Sequence, residues 1–373
     1  MPQFSELCKI LAKHLDWHKA RLVCLARLLM SLMMVGTVNL THVALGFGGN
    51  AQVDSRYRRL KRFFAEVEMD YQQIALAVAG LMGLPNEPWI LIFDRTRWDL
   101  GVRANNMLVL SVSLGDNAVP LFWKNIDKRG NSHASDRKEL LEQFFSVFGV
   151  AQIKLVLGDR EFASSELMKY LQGKKILFCI RVKDNSYAKN HKGKRVKLSH
   201  CCRRLALGET WQGNKPYQLW GNEITLVALR IENDLLVLAT TLSVQEALER
   251  YAQRWEIETS FAALKKRGFC LEDTHMTKVE RTEKWLAILA LAFAWSYRTG
   301  QWLEHKEPTK IKKHGRKQIS CFRRGYNFIR QYFFDALHPL RKAGEQLSSL
   351  LPTRRRAREK IMIPKKLRFC PVL

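Results

Sequence analysis

Apolar residues in the first part of the chain recur at helical spacing. Leu15 to Met34 carries one such stretch, and Val53 to Val67 carries a second that is basic and amphipathic. Between them, Gly46-Phe-Gly-Gly-Asn predicts a turn. Asn86-Glu-Pro marks a boundary, and the pattern then changes. Trp89-Ile-Leu-Ile-Phe-Asp is a short continuous apolar run, the mark of a buried strand with Asp94 at its tip. Met107 to Ser113 and Ala118 to Trp123 predict two more strands, joined by a hairpin turn at Gly115-Asp-Asn that contains Asp116. Arg137 to Phe148 reads as a helix. Ile153-Lys-Leu-Val-Leu-Gly-Asp is a second apolar strand ending in an acid, Asp159. A helix over Ser164 to Leu171 and a strand over Lys175 to Val182 follow. From Lys183 to about Asn233 polar residues dominate, with β-like pieces at Tyr217 to Trp220 and Glu223 to Ile231. Leu235 to Thr241 resumes the apolar core, a helix spans Val244 to Lys266, and Glu280 to Leu350 is mostly helical.

This succession predicts an α/β (α+β) protein. Residues 1–85 form a helical region, 86–184 the first part of a core, 185–234 a β-rich insertion, 235–275 the last core strand and helix, and 276–373 a helical region with a basic tail. The aromatic residues Trp285, Phe293, Trp295 and Tyr297 read as core contacts of a C-terminal helix.

Charge narrows the partner. Sixty-two Lys and Arg stand against 35 Asp and Glu, a formal charge of +27, which points to a polyanion, nucleic acid first. An anionic membrane surface ranks below it, because no basic amphipathic anchor stands out. The segment from Ser55 to Phe64 interleaves cations with aromatics. Leu60, Phe63 and Phe64 can face a core while Arg58, Arg59, Lys61 and Arg62 face DNA, as in a recognition helix; the plain alternative is a basic surface helix. Arg354-Arg-Arg-Ala-Arg-Glu-Lys and Lys365-Lys-Leu-Arg make the tail basic as well. The eight cysteines form no C-x-x-C pair, and His200-Cys201-Cys202 lacks a second ligand pair at zinc spacing, so a reduced cytoplasmic protein is expected. Lys9, Lys13 and His14 interrupt the N-terminal apolar positions, so no secretory signal is read, and Leu28 to Val38 is too short to span a bilayer.

The predicted helix over Val244 to Lys266 carries the densest chemistry. At about 100° per residue, Tyr251, Arg254, Glu258 and Lys265 project within about 60° of one another. A carboxylate flanked by two cations and a phenol suits a metal ion beside a phosphate backbone. Asp94 and Asp159, each after a buried strand, can meet Glu258 at one point. Three carboxylates there repel unless divalent cations neutralise them. Mg²⁺ takes oxygen ligands and leaves positions for phosphate, and two ions about 3.5–4 Å apart would support in-line phosphoryl transfer. Each acid has a rival reading. A strand-end Asp often caps a turn or the next helix. Asp99 falls past the apolar run in an expected loop, Glu161 can support the metal site from behind, and Glu256 points about 200° off the stripe.

These residues resemble a known family. Tyr251-x2-Arg254-x3-Glu258-x6-Lys265 resembles the Y-(2)-R-(3)-E-(6)-K signature of the IS4 family of bacterial insertion-sequence transposases. Asp94 in Ile-Phe-Asp-Arg-Thr and Asp159 in Leu-Gly-Asp-Arg-Glu-Phe resemble the first two acids of its DDE triad. The resemblance spans roughly residues 89 to 270. It implies an RNase H-like core interrupted by a β-strand insertion, and cut-and-paste transposition: nicking at element ends, 3′-hydroxyl attack, often through a hairpin, and strand transfer. It further implies that Asp94, Asp159 and Glu258 hold Mg²⁺ (two ions, with Mn²⁺ able to substitute). Arg254 and Tyr251 would grip the phosphate, and Lys265 would contact backbone DNA. The partners implied are double-stranded DNA and a second copy bridging two ends. An aromatic that stacks on a flipped base in relatives has no match just before the core strand, where Asp234 and Leu235 stand; Trp211 and Trp220 are the alternatives. A non-catalytic DNA-binding descendant and a nuclease that does not join strands remain the competing readings.

Overall fold

The computed structural model describes residues 2–100, 103–126, 130–232, 234–313 and 317–336. Five helices open the chain: α1 (Pro2–His14), α2 (Lys19–Val35), α3 (Leu40–Gly46), α4 (Val53–Glu66) and α5 (Tyr71–Met82). The apolar stretch from Leu15 is therefore not all helix. His18 caps α2 by accepting from the Ala20 N–H, which places Leu15 in the preceding linker. Strands β1 (Trp89–Leu100), β2 (Arg103–Ser113) and β3 (Ala118–Asn125) follow, then α6 (Ala134–Phe148), β4 (Ile153–Gly158), α7 (Ser165–Gly173) and β5 (Phe178–Val182). The expected strand from Lys175 starts three residues late, because Lys175 takes a left-handed turn with φ 57°. The next segment holds β6 (Tyr187–Lys189), β7 (Arg195–Lys197), α8 (Leu198–Cys201), β8 (Thr210–Gln212), β9 (Tyr217–Leu219) and β10 (Asn222–Ile231). The chain closes with β11 (Asp234–Thr240), α9 (Val244–Ala252), α10 (Trp255–Lys265), α11 (Val279–Lys306) and α12 (Cys321–Ala336). The basic tail lies outside the described residues.

The strands form one sheet in the order β3-β2-β1-β4-β5-β11-β10-β9-β6-β7, with β8 pairing β10. β1 and β2 are antiparallel, as are β2 and β3, whereas β1, β4 and β5 run parallel. Helices α6 and α7 supply the crossovers that parallel neighbours require. This five-strand order with one reversed strand is the RNase H-like arrangement. β11 then pairs antiparallel with β5, and β10 with β11, so the β-rich segment widens the core sheet.

The described residues up to Arg330 form one compact unit, and the end of α12, from Gln331, belongs to a second. Within the first unit, α11 is the axial helix. Trp285, Phe293 and Tyr297 are buried along it, while Trp295 is half-buried. The Phe64 ring of α4 packs 4.6 Å from that of Trp285, and Lys284 Nζ donates to the Phe64 carbonyl at 3.0 Å. The N-terminal helices thus share apolar packing with α11. Gly300 and Gly325 let α11 and α12 meet backbone to backbone: a Cβ on Gly325 would overlap the Ser296 carbonyl. No single helix among the described residues is long and apolar enough to cross a membrane.

Candidate active site

Strand register brings the first two acids together. Phe93 pairs Gly158, and Gly158 pairs Ile180. The next residue on each strand is Asp94, Asp159 and Arg181, at one level on neighbouring strands about 4.8 Å apart. Asp94 is not at a strand tip. β1 continues to Leu100 against β2, and Asp94 stands where β1 parts from β4. The continuation is written in alternation: Thr96 and Trp98 are buried while Arg97 and Asp99 are exposed. Asp99 is thus a strand residue paired with Arg97 at 3.3 Å, not a loop residue.

The turn after β4 is clamped from below. The Phe162 N–H donates to the Asp159 carbonyl, and the Phe162 ring stacks 5.8 Å from Phe93. Arg137 of α6 is buried, and its guanidinium donates to the carbonyls of Glu161 and Phe162 and to both oxygens of Ser132. Glu161 accepts from Arg95 Nε and Nη2 at 2.9–3.2 Å, tying the residue after Asp94 to the turn after Asp159. Arg137 escaped the sequence reading because its partners are backbone carbonyls about a helix away, which leave no spacing signal.

The expected single helix breaks. α9 ends at Ala252 and α10 starts at Trp255, with Arg254 N–H bonding Tyr251 O at 3.0 Å across the break. The pull comes from Glu256, which is buried and accepts from Ser113 Oγ, Leu114 N and Gly115 N. Ser260 Oγ, four residues on, accepts from Ala118 N. α10 is thereby pinned to the β2–β3 turn by the face opposite Glu258. Despite the break, three residues of the stripe converge. Tyr251 Oη donates to Asp159 Oδ1 at 3.3 Å; Arg254 lies 3.5 Å from Asp94 and 2.8 Å from Glu258. Lys265 departs. Its Nζ bonds the Arg97 carbonyl at 2.6 Å and Glu272 at 2.9 Å, bracing the β1–β2 arm.

Burial dominates the electrostatics. It pushes Asp94 up to about 6; the Arg95 N–H and Arg254 oppose the rise, and Glu258 and Glu161 add to it. Burial also raises Tyr251, with Asp159 adding to the effect, so the phenol stays protonated and donating. For Arg254 burial works downward, but Tyr251, Glu258 and Asp159 outweigh it and hold the guanidinium charged. Arg254 Nε is buried with no hydrogen-bond partner among the described residues.

The donor set suits a hard divalent cation: three carboxylates, oxygen only. Among the described residues no three such side chains are gathered as a metal cluster, because the Arg254 guanidinium stands between Asp94 and Glu258. The residues that would hold a cation are Asp94, Asp159 and Glu258.

The surrounding cations and aromatics are spread more widely. On α4, Arg58, Lys61 and Arg62 are exposed, whereas Arg59 lies over the Phe47 ring. Trp220 is exposed on the β9–β10 turn, and Trp211 packs against Tyr217. Trp255, next to Arg254, is 62% exposed and lies 5.3 Å from that guanidinium. Its adjacency to Arg254 was visible in the sequence; its exposure was not, because an unbroken helix does not reveal which flank of the stripe is solvated. Cys201 bonds the Lys197 carbonyl, and Cys202 is buried.

No curated protein matches the chain. A piggyBac transposase in a synaptic complex with hairpin DNA is 13% identical, over 96% of this chain and 84% of that one, with a TM-score of 0.47. An endonuclease V from Bacillus subtilis is 10% identical, over 56% of this chain and 86% of that one, with a TM-score of 0.25. Residues 123–295, which include Asp159 and Glu258, match the model of a family described as the transposase DDE domain. Over that stretch, 123–295, the chain is similar to a transposase DDE domain.

Proposed function

We propose that this chain is an insertion-sequence transposase that binds the ends of its element and carries out Mg²⁺-dependent strand cleavage and strand transfer. The convergence of Tyr251, Arg254 and Glu258 on Asp94 and Asp159 is the observation that supports this reading best. A divalent cation bound by Asp94, Asp159 and Glu258 would polarise the phosphodiester and lower the pKa of the attacking water or 3′-hydroxyl. The chain's own groups do the rest. Arg254, with a buried Nε–H left to donate, binds a phosphate oxygen when it leaves Asp94. Tyr251 orients Asp159 through its hydroxyl. Glu161 and Arg137 fix the turn that carries Asp159. Trp255 offers an exposed ring on which an unpaired base can stack. A second copy would bridge the two element ends.

The test is cleavage of linear DNA carrying the element's own ends, in Mg²⁺ or Mn²⁺, by wild type and Glu258→Ala. We expect metal-dependent nicking at the boundary, joining of the product to a second DNA, and loss of both in the variant with binding retained. Nicking without joining would make the chain a nuclease. Binding without nicking in the wild type would make it a non-catalytic DNA-binding protein.

A further inference from the structure

A polar cavity of about 160 Å³ opens beside the acids, at the ends of β5 and β11. Arg160, Arg181 and Lys183 line it, with Asp184 and Asp234 as the counter-charges. The three cations come from two sources. Arg160 follows Asp159 directly, and Arg181 stands level with Asp94 and Asp159 on the next parallel strand. The field of Arg181 reaches Tyr251, whose hydroxyl bonds Asp159, so the cavity borders the acid site. Asp234 holds Arg181 Nη2 at 2.5 Å, with the arginine side chain 17% exposed. No other partner of that guanidinium occurs among the described residues, so one edge of the fork stays open.

We infer that this cavity is a subsite for a DNA backbone phosphate adjoining the one that reacts at Asp94 and Asp159. The spacing suits a continuous strand. Neighbouring parallel strands lie about 4.8 Å apart, and successive phosphates of one strand, joined through a single sugar, are separated by a distance of the same order. A backbone laid across the strand ends from β1 toward β11 therefore presents its next phosphate to Arg181. Arg160 and Lys183 flank that position, and the Asp234 carboxylate keeps the guanidinium fork aimed there. The site rests on the reading of Asp94 and Asp159 proposed above, and it adds a positioning role for Arg181 and Lys183.

Binding isotherms in chelator separate the two readings, because they need no cleavage. The probe is a fluorescein-labelled duplex carrying the element end, titrated over a salt series. Arg181→Gln and Lys183→Gln are compared with wild type and with Lys154→Gln, a cation exposed at the far end of β4. We expect each of the first two to weaken binding by roughly tenfold and to lower the salt slope by about one, and Lys154→Gln to do neither. Lys183 is exposed with no side-chain partner among the described residues, so its variant leaves the fold intact. A methylphosphonate stepped through the phosphates at the element boundary should, at one position, weaken wild type and leave Arg181→Gln unchanged. Equal effects of all three substitutions, or additive effects of methylphosphonate and Arg181→Gln at every position, would overturn the subsite. Either result leaves the Glu258→Ala outcome to decide the active site on its own.

Discussion

Asp94 carries its raised pKa because burial withdraws water from the carboxylate while Glu258 and Glu161 add negative charge nearby. Its folded-state value of about 6 lies above the ordinary carboxylate value near 4. The folded chain therefore holds this proton more tightly than the unfolded chain. The stability this group contributes is present below the ordinary value and is lost as pH rises through about 6. Asp94→Asn removes the buried charge and should stabilise the metal-free protein by about 1–3 kcal/mol at pH near 8 and not at pH near 4, while abolishing cleavage. Thermal melts at the two pH values and the cleavage assay check both halves. For the wild type, affinity for the cation should fall as pH drops through about 6, because the proton then competes with the cation for the Asp94 carboxylate; a metal-binding isotherm unchanged across that range would count against Asp94 as a ligand. At this scale the sequence was informative where partners share a period. Tyr251, Arg254 and Glu258 were legible from spacing, whereas the Arg95–Glu161 pair joins a strand to a turn 66 residues away, and the partner of Glu161 left no trace.

Among the elements, the α9–α10 break matters most. An unbroken helical stripe and two short helices leave the same signature in the sequence, because the break spans only two residues. What decided it was a tertiary anchor: one carboxylate accepting from a hydroxyl and two backbone N–H groups of a distant turn. The off-stripe position of Glu256 was visible; its partners were not. Glu256→Ala leaves those buried donors unpaired and should cost about 2–4 kcal/mol, with Glu256→Gln recovering part. Urea denaturation measures this. A loss below about 0.5 kcal/mol, the usual range for surface substitutions, would mean that the break has another cause. β1 teaches the complementary lesson. Its second half was readable as alternation, and the apolar run alone hid it.

At the scale of the molecule, charge and sheet act together. The formal charge of +27 is carried on a chain whose helices α1–α5 and α11 share one apolar interior. Binding to DNA should weaken steeply with salt, the logarithm of affinity falling linearly with the logarithm of salt concentration as counterions are released. Anisotropy over a salt series gives the slope, and a flat response would exclude extensive backbone contact. The fold class and strand sequence were legible from hydrophobic runs. The fusion of the β-rich segment into the core sheet was not, because strand pairing across a sheet is a non-local property that short polar strands do not advertise.

That fusion has a consequence for solubility. β11 buries Leu235, Val237, Leu238 and Ala239 and offers its free side to β10, whose Leu226, Val227 and Ala228 are buried in turn. Without β10 the sheet would end in an apolar strand with a bare row of N–H and C=O groups, a template for another chain. Excising residues 185–233 should therefore yield aggregates, not a trimmed enzyme, and sedimentation of the truncated protein would tell. The segment acts as a selvedge, the woven border that keeps a fabric from fraying into its neighbour.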